Sequence, residues 1–151
     1  GRENILVRGV YLGIPPREMR RYVDEIVDFT ELGHYVDMPV RTYSTGMMVR
    51  LAFTVSTCVP TEILLMDEWL AAGDAHFLAK AQERMESYVK KSNILVLASQ
   101  SMPLIEQWCS RAILLERGHI VAMGPTKEVI ATYEARERAR DAGPADARIM
   151  G

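Results

Sequence analysis

Apolar positions along this chain follow a helical period in some stretches and run unbroken in others, with turn residues between them. From Arg17 the period is helical: Met19, Tyr22, Val23, Ile26, Val27 and Thr30 share one side, and Glu18, Arg20, Arg21, Asp24, Glu25 and Asp28 take the other. Leu32-Gly33 is expected to end this helix, because glycine accepts a left-handed cap. A second helix is predicted over about residues 45–58, where Met47, Leu51, Val55 and Cys58 form a stripe able to anchor it on a sheet. Arg50 lies off that stripe, as suits a solvated or interface residue, and Pro60 stops the helix. A third helix, over about 75–90, turns Leu78, Ala81, Met85, Tyr88 and Val89 inward and leaves Lys80, Glu83, Arg84, Glu86 and Lys90 to water.

The strand-like segments are shorter. Residues 63–66 form an apolar run, and residues 93–98 (NILVLA) read as a strand covered on both faces. Residues 112–115 and 120–123 are two strands around a hairpin turn, Glu116-Arg117-Gly118-His119. Residues 102–109 suit a short helix, and Pro125 opens a last one that reaches about Arg138. Residues 4–12 are apolar enough for either a helix or a strand, and Ile14-Pro15-Pro16 ends them. Residues 34–42 connect, and residues 139–151, rich in Ala, Arg and Asp, are expected to be frayed or disordered.

Composition narrows the class. A chain of 151 residues fits one domain with a real core, and 48% apolar with 25% charged residues is the balance of a soluble globular protein. The net charge of −2 and the lack of a basic block give no support for nucleic-acid binding. No apolar run approaches the roughly 20 residues of a membrane span, and the polar opening Gly-Arg-Glu-Asn is not a signal peptide. The first residue is Gly and the first segment already resembles a domain interior, so the chain is expected to be part of a longer protein. Cys58 and Cys109 share no metal-ligand spacing and read as buried free thiols of a reducing cytoplasm. His34, His76 and His119 form no ligand pair, and the nine methionines suit core positions.

Candidate chemistry concentrates in residues 43–74, YSTGMMVRLAFTVSTCVPTEILLMDEWLAAGD. Ser44-Thr45-Gly46 opens a helix with a capping hydroxyl and a glycine that permits close approach. Helix starts carry unpaired N–H groups and partial positive charge, which suits anions. The apolar strand then ends in Asp67 and Glu68, at the sheet edge where α/β folds bind ligands. One carboxylate there can hold Mg²⁺ and a second can orient a water toward a phosphoryl group. Alone, the first feature is an ordinary helix cap and the second a solvated strand end. Both together, in this order and joined by one helix, favour phosphate chemistry.

This stretch resembles the signature motif, Walker B strand and D-loop of an ABC-transporter ATPase subunit. YSTGM, where most of the family has LSGGQ, and DEWLAAGD are similar to the branch that exports bacterial polysaccharides. The resemblance covers residues 1 to about 133 and implies an α/β fold: part of a P-loop NTPase-like nucleotide-binding domain. It divides residues 1–138 into a helical signature subdomain, 1–58, and a Walker B-to-switch portion, 59–138. It also decides residues 4–12 for helix. By similarity, Ser44, Thr45, Gly46 and Met47 contact ATP bound to the opposite subunit of a head-to-tail homodimer. Asp67 matches the Mg²⁺-linked aspartate, Glu68 the carboxylate that positions the attacking water, and Asp74 the D-loop aspartate at the interface.

Two departures qualify the match. Gln100, in Ser99-Gln100-Ser101, stands where the family has a histidine on the γ-phosphate, and glutamine donates a hydrogen bond without carrying charge. It fits either a slow half-site or a tolerated variant. No G-x-x-x-x-G-K-[ST] loop occurs, so the chain by itself is expected neither to bind ATP well nor to hydrolyse it. The resemblance implies ATP and Mg²⁺ as cofactors and a transmembrane permease as partner, met by residues 4–42. It further implies a polysaccharide moved indirectly and a peripheral place on the cytoplasmic face of the membrane. A degenerate docking module without turnover is the alternative; chromosome-associated ABC ATPases, a third class, carry basic surfaces and long coiled-coil insertions, and neither is present in this sequence.

Overall fold

The computed structural model describes residues 1–68 and 74–141, which divide into two units. The first comprises Gly1–Leu64 with residues 74–95; the second comprises Leu65–Glu68 with residues 96–141. Residues 69–73, which include most of the expected D-loop, lie outside the described residues, as do 142–151 of the expected tail.

The first unit is built on a helical core. Helix α1 (Arg2–Tyr11) is followed by the single turn α2 (Pro16–Met19), a 3-10 turn at Arg20–Tyr22 and α3 (Val23–Thr30). The expected continuous helix from Arg17 is thus interrupted, yet its face survives: Met19, Ile26 and Thr30 are fully buried. Helix α3 ends at Thr30, with Glu31 as its left-handed cap (φ 56°), two residues before Gly33. Leu32 is drawn into the core instead. Two 3-10 turns, Gly33–Asp37 and Val40–Thr42, form the connector.

Helix α4 (Thr45–Ser56) carries the expected stripe, which among the described residues packs on other helices and turns rather than on a sheet. Leu51, Val55 and Cys58 pack with Ile5, Met19, Ile26 and Val36, and Met47 lies against the same cluster. Its other side, Phe53, joins Phe29 and Phe77 of α5 (Ala75–Lys91) in a ring cluster with centroids 6.0–6.3 Å apart. Two of those three contacts are edge-on, the favoured aromatic geometry. Phe77 is fully buried and Leu78 only half-buried, so the inward stripe of α5 runs through Phe77, Ala81, Met85 and Tyr88.

Lys80 and Arg84, expected in water, turn back on the core. Arg84 donates to the Thr57 carbonyl, pairs with Glu25 at 3.0 Å and lies over the Phe29 ring, leaving its side chain 13% exposed. Long cationic stems cover apolar surface while their heads find acceptors, which a polar–apolar pattern does not register.

Strands β1 (Ile63–Asp67) and β2 (Ile94–Ala98) pair with each other. In the first unit the Glu62 carbonyl accepts from Asn93 and Ile94, and in the second Glu68 N–H donates to the Ala98 carbonyl. The two strands therefore run parallel. Neither is covered on both faces among the described residues: Leu65 is 72% exposed and Val96 55%.

In the second unit, α6 (Met102–Trp108) leads into β3 (Arg111–Glu116) and β4 (His119–Pro125), an antiparallel hairpin. Arg117 and Gly118 both have positive φ, the requirement of a two-residue turn that matches strand twist. Pro125 ends β4 rather than opening a helix. Helix α7 (Thr126–Asp141) begins one residue later, pinned by Thr126 to the Cys109 and Ser110 carbonyls. It runs three residues past Arg138, and Arg136 and Arg140 tie it to Glu116.

Candidate functional site

In the first unit the chain leading into α4 is fixed before the helix begins. Tyr43 donates its hydroxyl to the Tyr35 carbonyl at 2.8 Å, and burial pushes its pKa up. Ser44 then takes extended backbone as N-cap, and its Oγ accepts from Met47 N–H at 3.2 Å. No acidic residue occupies the first turn, so the positive end of α4 is left uncompensated. Ser44 and Thr45 are exposed. Among the described residues, a Cβ built on Gly46 would meet nothing closer than Ser44 Oγ at 3.9 Å, an ordinary contact. Packing among the described residues does not require that glycine.

Asp74 caps α5 and is bound to α4. Its Oδ1 accepts from Phe77 N–H at 3.0 Å, and its Oδ2 accepts from Arg50 Nη2. The Phe77 amide and, next, Arg50 hold its carboxyl below the usual range. Arg50, expected to be a solvated or interface residue, is a hub between helices with a side chain 18% exposed. It also donates to the Thr30 carbonyl at 3.2 Å, approaches Glu31 at 3.7 Å and lies 4.9 Å from the Phe77 ring centroid. Glu31 further takes Lys80 at 2.8 Å and His76 at 3.4 Å; the Lys80 bond is the main reason its pKa is lowered.

The carboxylates at the end of β1 belong to the second unit. Asp67 is exposed as the last residue of the strand. Glu68 turns out of it with φ 63°, a left-handed backbone that is uncommon for glutamate and frequent at functional sites. Its side chain is oriented: Oε1 accepts from Ser99 Oγ at 2.8 Å, and Ser99 Oγ in turn accepts from Ser101 N–H. Gln100, between those serines, is exposed.

Asp74 is thus joined to α4 in one unit, and Glu68 to the loop carrying Gln100 in the other. Arg50 and Ser99 were missed. Their partners lie 24 and 31 positions away, beyond the reach of a periodic pattern. Among the described residues no group of three or more His, Cys, Asp or Glu could hold a metal. An exposed terminal carboxylate with an oriented neighbour nevertheless fits Mg²⁺, which is bound through one or two carboxylates together with substrate phosphates and waters. Two grooves of about 390 and 420 Å³ flank α1 and share Asn4 and Val7; neither is lined by these residues.

The chain is 44% identical over 133 residues to the O-antigen export system ATP-binding protein RfbB of Myxococcus xanthus, covering 88% of this chain and 30% of that protein. The chain is similar over most of its length to part of ATP-binding proteins of O-antigen and teichoic-acid export systems and of an ABC transporter protein. The teichoic acids export ATP-binding protein TagH of Lactococcus lactis is 37% identical (89% of this chain, 29% of the relative). A Klebsiella pneumoniae RfbB is 34% identical (89% and 54%). The chain therefore spans between about a third and a half of the length of these relatives. Two solved structures share the fold: the ATP-binding subunit of an ABC transporter (TM-score 0.68, 19% identity, 89% of this chain and 56% of that one) and cbiO1 of Clostridium perfringens (0.53, 21%, 89% and 54%). No family model matches.

Proposed function

We propose that the whole protein is the ATP-hydrolysing subunit of an exporter for a cell-surface polysaccharide such as O-antigen, capsule, teichoic acid or galactan. The observation that carries this is Glu68: a carboxylate beside Asp67, turned by a left-handed backbone and held by Ser99, in a chain similar to ATP-binding proteins of export systems.

Glu68 would orient the attacking water, and its bond from Ser99 fixes one oxygen so that the other can face substrate. Asp67 would hold Mg²⁺, which neutralises charge developing on the phosphates when bound. Gln100 would reach the γ-phosphate as a hydrogen-bond donor. Ser44, Thr45, Gly46 and Met47 would meet ATP bound to a second copy, in a head-to-tail homodimer. The lack of any contact closer than 3.9 Å at Gly46 among the described residues and the helix start without an acidic residue in its first turn support this reading, since a phosphate can approach those amides closely. Asp74 would lie at the same interface.

A transmembrane permease would meet residues 4–42. The exposed apolar side of α1, with Tyr11 86% exposed beside Val7, Val10 and Leu12, supports this contact. No helix among the described residues is long and apolar enough to cross a membrane. The subunit would sit peripherally on the cytoplasmic face, and the polysaccharide would be moved without touching these residues.

Sedimentation of the full-length Glu68→Gln protein tests the reading. It should dimerise only with ATP and Mg²⁺, and a monomer at saturating nucleotide would count against it. The isolated chain should show no micromolar ATP binding.

A further inference from the structure

The first unit contains a junction that helix packing by itself does not call for. Arg50 lies in the second turn of α4, just past the start that carries Ser44, Thr45 and Gly46. Its guanidinium meets four groups: Thr30 carbonyl, Glu31, Asp74 and the face of Phe77. These partners come from the end of α3 and the start of α5, so one side chain joins three helices. An exposed ion pair holds little, but a mostly buried planar fork on an aromatic face with acceptors from separate elements fixes geometry. Glu31 supports the same point. It keeps a left-handed backbone, unusual for its residue type, and there receives Lys80 and His76 as well as Arg50.

We infer that Arg50 is a positioning residue that locks the start of α4 to Asp74, so that the signature residues and Asp74 meet the opposite subunit as one rigid surface. This rests on the ATPase reading above and adds to it a residue that acts through others. Misplacement of such a surface by an ångström costs far more in turnover than in binding.

The test uses the full-length protein. Arg50→Ala should lower kcat by roughly 10- to 100-fold while KM for ATP changes little. Asp74→Ala should do the same, and the double variant should lose no more than the worse single one, as groups acting as a unit do. Arg84→Ala removes another buried anchor in the same unit without touching Arg50, and should leave kcat at the wild-type level. A wild-type kcat in Arg50→Ala, or an equal fall in Arg84→Ala, overturns the inference. Amide hydrogen exchange gives a readout independent of turnover: Arg50→Ala should speed exchange at Thr45 to Met47 and at Phe77 together. Unchanged exchange there overturns the inference as well. A wild type without hydrolysis would sink the ATPase reading alone and leave exchange to decide the junction.

Discussion

Ser99 donates its hydroxyl to Glu68 Oε1 at 2.8 Å, joining the end of one strand to the loop after its neighbour. That bond gives Glu68 an orientation which its exposed backbone position would not otherwise supply. Removing it in Ser99→Ala should reduce kcat of the full-length protein by about tenfold, the lower range for partners that orient a reacting group. ATP affinity should not change, because Ser99 holds the carboxylate proposed to position water and not the nucleotide. Steady-state hydrolysis with a parallel nucleotide titration separates the two.

Gly46 separates folding from function. Its φ is not in the left-handed region and an added Cβ meets only an ordinary 3.9 Å contact among the described residues, so Gly46→Ala should hold or raise stability by up to about 1 kcal/mol through the unfolded chain. The same methyl would stand between the helix start and a phosphate of the second copy. Hydrolysis should therefore fall while the denaturation midpoint does not. A destabilised but active variant would contradict the assignment.

Gln100 lacks the charge that a histidine would bring to the γ-phosphate. Gln100→His should raise kcat several-fold, in line with the modest end of acid–base gains. An unchanged kcat would mean that the glutamine hydrogen bond is sufficient.

The aromatic cluster holds α4 and α5 together. Phe77 is fully buried between Phe29 and Phe53, so Phe77→Ala should cost about 3–5 kcal/mol in denaturant unfolding.

Acid should loosen the junction around Arg50. Glu31 titrates below its ordinary value of 4.5, held there first by Lys80. A carboxylate depressed on folding contributes fully above its unfolded pKa, and that contribution is lost as pH falls through the folded one. Stability of the wild type should thus drop below pH 4.5, and Glu31→Gln should show a shallower drop with a lower plateau at neutral pH. Denaturant midpoints measured across pH 3 to 7 check it, those limits being the roughly useful range for a carboxylate.

Where the chain encodes structure locally, the sequence was informative. The serine cap of α4, the carboxylates ending β1 and the Arg117-Gly118 turn each follow from neighbouring residues, and each was found. What escaped depends on distant partners. By polarity Arg50 reads as a solvated or interface residue and Lys80 and Arg84 as surface, although each has acceptors on other elements. Phe77 escaped because the stripe was drawn through Leu78, one position off. The apolar runs of β1 and β2 signal surface that favours burial, but not which residues cover it. Ser99 carries no local signal at all, since a serine after a strand is ordinary until its carboxylate partner is placed beside it.

Hydrolysis of ATP by the full-length protein, wild type against Glu68→Gln, tests the central claim most directly. The account predicts measurable turnover in the wild type and its loss by at least about 100-fold in Glu68→Gln, the scale of a positioned general base, with ATP still bound. Equal turnover in the two proteins, or none in the wild type, would contradict it.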